Sequence, residues 1–567
     1  MPNNLQWKYV PIPDRIQIKN FSEALFSDTK YWQKAIACLL LQKGIETREQ
    51  AQTFFAPSWG HFHDPFLMKD MDKAVERILL AIDRKENILI YGDYDVDGTC
   101  SVSLLYQFLS QLYSKVSTYV PDRYREGYGV SFLGIDYAED NEVSLIITLD
   151  CGIKAHEKVI YAKEKGIEMI ITDHHTPSDT LPQAFAVLNP KREDCFYPYK
   201  ELCGCGIGFK LIQALHKRLQ FSEELPTKYL ELVALATCAD IVPLTGENRL
   251  LVSLGLQALN QEPSPVMQAL LASAIPPIQV RDLVFVAAPR INAAGRMQHA
   301  QAAVDFLSGE APEKASTLEI LNNQRKSADE EITHEALSLI EQHHEEDSSA
   351  TIVFSPHWHK GVIGIVASRL IETYYRPTLV FTRSGEVLAA SARSVSGYNL
   401  YQALVECKEY LLQFGGHKYA AGLTLLPENY QPFKQKFQEV VSRTLPAELA
   451  TPAITLAMEM PLEKITGAFY NMLKCFAPFG PQNMTPIFFA KKVFAKEITP
   501  IGKQKEHLRL QVTDAMGKLS FAAVGFGLSH KKELIQQGKP FTIAYQLDEN
   551  HWKGNVSLQL VLKDIVS

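Results

Sequence analysis

No apolar run in this chain reaches the ~18 residues that a membrane-spanning helix needs. The opening stretch, MPNNLQWKYVPIP, has neither the basic start nor the apolar stretch of a secretory signal. A cytoplasmic protein is expected. Cysteine is sparse, scattered and odd in number, at nine, which argues against a disulfide framework. Only Cys203 and Cys205 lie close together, in ELCGCGIGFK, and no second Cys or His pair follows at zinc-ligand spacing. They read as small residues in a Gly-rich turn before a helix. A basic excess is also missing, because the formal net charge is −7. That removes the global electrostatic signature of a nucleic-acid binder. It leaves room for a local basic groove, and carboxylates that hold metal count as negative in such a tally. No internal repeat or low-complexity tract is evident.

What is present is a chain of 567 residues, 46% hydrophobic and 21% charged, as in soluble globular proteins. That length is too great for one core and implies about three or four domains. From about residue 72 to 240, short apolar runs alternate with amphipathic stretches. ENILIYG (86–92), KVSTYV (115–120), VSLIITLD (143–150) and IEMIITD (167–173) read as strands. The rhythm predicts an α/β domain with a mostly parallel sheet covered by helices on both faces.

Between 313 and 346 the chain is charged, and Leu318, Leu321, Ala328, Ile332, Leu337 and Ile340 recur at helical spacing. One long connecting helix of about 45 Å is expected, with two shorter helices as the alternative. A second α/β stretch runs to about 445. Beyond it, segments such as HLRLQVTD and LSFAAVGF predict a small oligonucleotide-binding (OB) type β-barrel, with a sandwich as the competing architecture. The expected boundaries are 1–70 for an N-terminal segment, 71–305, 306–346 for the helix, 347–447 and 448–567.

The chemistry gathers where apolar runs stop. ILIYGDYDVDG places Asp93, Asp95 and Asp97 at alternate positions just after a strand. Three carboxylates so close repel one another and need solvation or a cation. A second strand ends at Asp150 in ITLDCG, and a third at Asp173, His174 and His175 in ITDHH. Asp240 follows a further apolar stretch in LATCADIVPL. Any one of these alone, Asp240 above all, reads more often as a helix cap or turn residue. Three strand ends carrying the same chemistry favour a site for hard divalent cations, Mn(II) or Mg(II), at the sheet edge where open parallel sheets bind ligands.

Together, GDYDVDG, VPDRYREGYGVS, TLDCG, TDHH, ADIVPL, PRINAAGRM, NNQRK, WHKGVIGIVASRL, SARS and FGGHKYAAGL resemble the DHH phosphoesterases, across roughly residues 70 to 425. The resemblance implies a DHH phosphoesterase domain at 71–305, a DHH-associated domain at 347–447 and an OB-like nucleic-acid-binding domain at 448–567. It also implies two metal ions. Asp95 and Asp97 are then metal ligands, Asp150 bridges the ions, and His174 and Asp240 complete the set. Asp93 and Asp173 are ligands or supports to ligands, and His175 faces the scissile phosphate.

Two ions about 3.5–4 Å apart suit phosphodiester hydrolysis, with cationic donors to help hold the anion. Arg296, with Asn292 beside it, is the first such donor; read without the resemblance, it is equally a solvated loop charge. By the same resemblance Arg123, Ser391 and Arg393 form a pocket for a 5′ phosphate, and Gly415, Gly416 and His417 grip substrate. On the residues alone, Arg393 is equally a surface residue and the GGH stretch a tight turn. His357, Trp358 and His359 look like a ligand cluster but read better as a turn with a packed Trp. In the last domain Phe479, Lys503, Arg509 and Trp552 are guesses for strand contact. One departure from the family pattern is PFGPQNMTP, where Gln482 and Met484 stand in place of Gly and Pro.

The function implied is a metal-dependent exonuclease that degrades single-stranded DNA from 5′ to 3′ to mononucleotides, in DNA repair and recombination. The alternative is a DHH phosphodiesterase acting on short oligoribonucleotides or cyclic dinucleotides, which needs only the first two domains. A helicase and a single-strand-binding protein are natural partners for the family, and a monomer is expected.

Overall fold

The computed structural model describes residues 5–26, 30–221, 225–309, 313–535, 538–552 and 554–567. The chain forms two compact units. One comprises residues 52–325 with 476–484, and the other residues 1–51, 326–475 and 485–567.

The first unit is built on a parallel sheet of β1 (Asn87–Gly92), β2 (Val116–Tyr119), β3 (Val143–Leu149), β4 (Glu168–Thr172) and β5 (Ala186–Leu188). The order across the sheet is β2-β1-β3-β4-β5, with every pairing parallel. These strands are apolar on both faces, and the structure uses both. Ile88, Ile90, Leu145, Ile147, Leu149 and Ile170 pack into one core. Leu89, Tyr91, Val143, Ile146, Met169 and Ile171 pack into another. Each such side chain, fully buried, contributes about 1.5–3 kcal/mol, so register is strongly specified. The short β5 is the strand that the sequence pattern did not reveal. Strand order reverses at β1, so β1 and β3 flank the switch point where sheets of this kind open a crevice beyond their C-terminal ends.

The helix Lys314–Gln342 is continuous over 29 residues, or about 43 Å, rather than two shorter helices. It begins in the first unit and ends in the second. In the second unit a mixed sheet contains β6 (Thr351–Phe354), β7 (Thr378–Ser384), β8 (Val387–Arg393), β9 (Gln413–Gly416) and β10 (Ala420–Leu425). Their order is β9-β10-β8-β7-β6, with only β6–β7 parallel. Trp358 is buried, and its indole donates to Glu335 at 2.8 Å, so it is a packing residue.

The C-terminal part is a closed five-stranded barrel of β11 (Phe488–Ile501), β12 (His507–Thr513), β13 (Ser520–Gly525), β14 (Phe541–Trp552) and β15 (Asn555–Val566). Pairing of β14 with β11 closes it and removes the exposed edges. The strand Gln6–Tyr9 pairs in parallel with Ala453–Leu456, and Trp7 donates to the buried Asp564 of the barrel at 2.8 Å. Lys503 and Arg509 are exposed on the barrel. Phe479 is not a barrel residue, because 476–484 belong to the first unit. The side chain of Trp552 lies outside the described residues. In the unusual PFGPQNMTP loop, Gln482 takes φ +58 at the position where the family pattern has Gly. Asn483 closes the loop by donating to the carbonyls of Phe476 and Pro478 at 2.9 and 2.8 Å.

Candidate active site

The loop after β1 delivers three aspartates in three different ways. Asp93 is buried against the backbone, with its Oδ1 3.5 Å from the Gly129 amide. Asp95 caps the helix Val96–Leu109, accepting from Gly98 N at 3.0 Å. Gly98 is required here, because a Cβ would lie 2.3 Å from the Asp93 carbonyl oxygen. Asp97 sits inside the first turn. Its two oxygens accept from the amides of Gly204 and Cys205, at 2.6 and 2.8 Å. Those amides open the helix Gly204–Arg218, whose N-terminal end favours a carboxylate. Cys203 is the N-cap of that helix and Cys205 lies in its first turn, as small residues rather than zinc ligands.

Asp150 follows β3 with φ +60, a conformation Asp tolerates better than most residues. A Cβ on Gly204 would lie 2.5 Å from the Asp150 Cβ, so the close approach of helix and carboxylate depends on that glycine. Asp240 is the C-cap of the helix Lys228–Ala239 and thus lies at a helix end, not a strand end.

His174 joins these carboxylates. Its Nε2 is 3.1 Å from Asp150 Oδ1, 3.6 Å from Asp240 Oδ2 and 3.8 Å from Asp97 Oδ2. None of these contacts has hydrogen-bond geometry. Among the described residues, both ring nitrogens of His174, Asp150 Oδ1 and Asp240 Oδ2 are buried without a hydrogen-bond partner. Burial, with repulsion from Asp97, Asp95 and Asp240, raises the Asp150 carboxyl well above its usual range. Burial with the charge of Asp95 lifts Asp97 to about 6, and burial with the charges of Asp97 and Asp95 lifts Asp240 to about 9. Burial and the neighbouring His175 lower His174 to about 3, so its imidazole is neutral with a lone pair free. Among the described residues two sets could hold an ion, Asp150 with His174 and His175, and Asp97 with His174 and Asp240, with ligand atoms within 4.8 Å in each.

His175 is held differently. Asp173 accepts from its backbone N at 3.0 Å and lies 2.8 Å from its Nδ1, and the other Asp173 oxygen accepts from Ile153 N at 2.9 Å. Burial alone would lower His175, but the Asp173 contact and the charges of Asp97 and Asp95 raise it on balance. Sequence reasoning missed Tyr128, which lies in the EGYG segment. Its hydroxyl donates to the Asp150 carbonyl at 3.0 Å and stands 3.2 Å from a ring nitrogen of His175. Asn189, also missed, braces the same loop by donating to the His175 carbonyl at 2.9 Å. No composition signal marks either residue.

Arg123 lies over the Tyr94 ring, 4.5 Å from its centroid. The helix Ala288–Met297 carries Asn292 and Arg296 and is pinned beside the same loop. Gly295 approaches the Tyr94 carbonyl so closely that a Cβ would sit 2.7 Å away, and Tyr124 donates to the Arg296 carbonyl.

The remaining residues belong to the second unit. Arg393 donates to Ser391 Oγ at 3.0 Å on β8. A Cβ on Gly364, in the first turn of the helix Ile363–Thr373, would lie 2.8 Å from that hydroxyl and 3.0 Å from the Arg393 guanidinium. Hydroxyl, guanidinium and helix start therefore converge. Gly422 pairs with both Ser391 and Gly415, which leaves a side-chain-free strip beside Ser391. His417 N donates to the Ala420 carbonyl at 2.8 Å and closes the turn after Gly416.

Family models match three parts of the chain: the DHH family N-terminal domain at 87–237, the DHHA1 domain at 347–443 and the RecJ OB domain at 456–564. The single-stranded-DNA-specific exonuclease RecJ of Bacillus subtilis is 35% identical over the whole chain and 71% of its own length. That of Escherichia coli is 33% identical over 88% of this chain and 90% of its own. The crystal structure of RecJ from Thermus thermophilus in complex with Mn2+ superposes with a TM-score of 0.84 at 26% identity, covering 100% of this chain and 80% of that one. The structure of exonuclease RecJ bound to manganese gives a TM-score of 0.59 at 31% identity, over 68% of this chain and 98% of that one. Three domain matches in order and full-length identity above 30% lead to one conclusion: the chain belongs to the RecJ family of single-stranded-DNA-specific exonucleases.

Proposed function

We propose that this protein is a metal-dependent exonuclease that degrades single-stranded DNA from the 5′ end to mononucleotides. The observation that carries the reading is the set of buried oxygens and nitrogens on Asp150, His174 and Asp240 that have no partner among the described residues. Buried carboxylates without counter-charge are costly, and a divalent cation relieves that cost. Carboxylate oxygens with one neutral imidazole suit Mn(II) or Mg(II). Asp95, Asp97, Asp150, His174 and Asp240 would hold two ions, with Asp93 in support. Asp97 can serve while bound to two amides, because each carboxylate oxygen has a second lone pair. When bound, such ions supply an acidified water and neutralise phosphate charge.

The chain's own residues do the rest. Asp173 fixes the ring of His175, and the raised pKa favours an imidazolium that can donate to a phosphate oxygen. Tyr128, whose hydroxyl lies 3.2 Å from the ring's Nδ1 and 3.3 Å from its Nε2, restricts the ring further. Arg296, Asn292 and Arg123 bind the phosphate backbone. Ser391 and Arg393, with the helix start at Gly364, bind a terminal 5′ phosphate, while the Gly415–Gly416 strip and His417 allow the strand to approach the backbone. The barrel binds single-stranded DNA through its exposed basic residues. The likeness to RecJ exonucleases supports a role in DNA repair and recombination in the cytoplasm, with the long helix as an interdomain connector.

The test is digestion, with Mn(II), of internally labelled single strands carrying a free or blocked 5′ end, beside a blunt duplex and a cyclic dinucleotide. Mononucleotide release that is stopped by the 5′ block and spares the duplex is expected. Cleavage of the cyclic dinucleotide alone would refute the reading.

A further inference from the structure

Ile241 follows Asp240 with φ +60. Helices often end in a left-handed residue at this position, and glycine is the usual occupant because a side chain there is sterically penalised. A β-branched side chain is a clear outlier. Packing does not compensate, because Ile241 is 71% exposed. The loop around it is held firmly, so the conformation is enforced. Leu244 N donates to the Pro481 carbonyl at 2.8 Å, and Asn248 and Tyr199 donate to the Pro243 carbonyl at 3.0 and 3.2 Å. Neither helix termination nor core formation therefore calls for isoleucine. A strained, exposed, apolar residue held rigidly beside a site is a mark of use by a ligand.

The position says which ligand part. The preceding residue places its carboxylate 3.6 Å from His174 in the acidic cluster. Adjacent Cα atoms are about 3.8 Å apart, so Ile241 stands within a nucleotide's reach of a phosphate held there. An aliphatic side chain gains nothing from phosphate oxygens or hydroxyls, but it gains from the apolar face that every base presents. Resting on the exonuclease reading, we propose that Ile241 is a substrate-positioning residue whose side chain packs against the nucleobase flanking the scissile phosphate, independent of sequence.

The experiment compares the full chain with its Ile241→Gly and Ile241→Val variants on 5′-phosphorylated oligothymidylate with Mn(II). Ile241→Gly is expected to melt at a higher temperature, because strain is relieved. Its KM rises about tenfold while kcat stays within about twofold, the signature of lost uniform binding. Ile241→Val restores the KM. On an oligonucleotide whose two 5′-terminal nucleotides are abasic, wild type and Ile241→Gly have equal KM. An unchanged KM in Ile241→Gly, a lower melting temperature, or a KM gap that persists on the abasic strand overturns the proposal. If the wild type itself releases no nucleotides, the exonuclease reading fails first and takes this inference with it.

Discussion

Two buried ionic groups in the parallel-sheet unit contrast sharply. Lys210 and Glu247 are almost fully buried and 3.1 Å apart. Lys210 also donates to the His63 carbonyl at 2.8 Å, and Glu247 accepts from His63 N at 3.0 Å and Tyr197 OH at 2.6 Å. This network is closed, with a cation for its anion. The acidic cluster around Asp150 is also largely buried, but it has carboxylates and a neutral imidazole and, among the described residues, leaves buried polar atoms unmatched. Burial of charge is therefore no mark of a site by itself. Burial without counter-charge is, because the unfavourable energy persists until a cation enters.

The strongest test of that contrast is Asp150→Asn, which keeps the side-chain shape and tolerates the left-handed backbone. Loss of activity on the order of 10³-fold is expected, the upper end for removal of one electrostatic group in an active site. The metal-free variant should nonetheless melt higher than wild type, since one repelling charge is gone. Single-strand digestion and thermal melts read both. In the closed network the opposite holds. Lys210→Met should destabilise the protein by about 3–5 kcal/mol by stranding Glu247, measured by denaturant unfolding. Lys210→Met combined with Glu247→Gln should recover much of that loss.

Next in size is a dependence on pH and metal. Folding raises Asp97 to about 6 and Asp240 to about 9, so both bind protons more readily folded than unfolded. Their contribution is full at low pH and is lost as pH rises through those values. His174, lowered to about 3, works the other way, since its contribution is lost as pH falls below the ordinary histidine value. Above about pH 6.5 His174 no longer acts, and the carboxylates together with the raised His175 all lose their contribution as pH climbs. The metal-free melting temperature should fall from there towards pH 8.5, and the upshift caused by Mg(II) should grow over the same interval. A Mg(II) upshift independent of pH would break the comparison. The smallest expected effect lies at the anion pocket proposed for the second unit. Arg393→Lys should raise KM about tenfold for 5′-phosphorylated strands and leave 5′-hydroxyl strands unchanged, because Lys cannot reproduce the planar fork. Steady-state kinetics on the two substrates decides it.

Much of the architecture was legible in the sequence where local pattern carries it. The apolar runs before Asp93, Asp150 and Asp173 marked strand ends, and the charged stretch after 313 marked the long helix. The three-residue β5 was not legible, because so short a run has no period to read. Tyr128 and Asn189 escaped for a different reason: each acts through one contact with a distant loop. Ile241 passed as ordinary apolar sequence, and only its backbone angle singles it out.

The sequence by itself determined where carboxylates and imidazoles would cluster, since strand ends show as the stop of continuous apolar runs and helix starts as the onset of a 3.6-residue period. Only the tertiary structure decided which of their atoms are satisfied and which stay open. Asp97 is held by amides 107 and 108 residues away, at Gly204 and Cys205. Asp150 is fitted against the bare Cα of Gly204, and among the described residues His174 is left with two unmatched nitrogens. A local pattern cannot contain such facts, because hydrogen bonds and desolvation depend on what the folded chain brings alongside each group from far along its length.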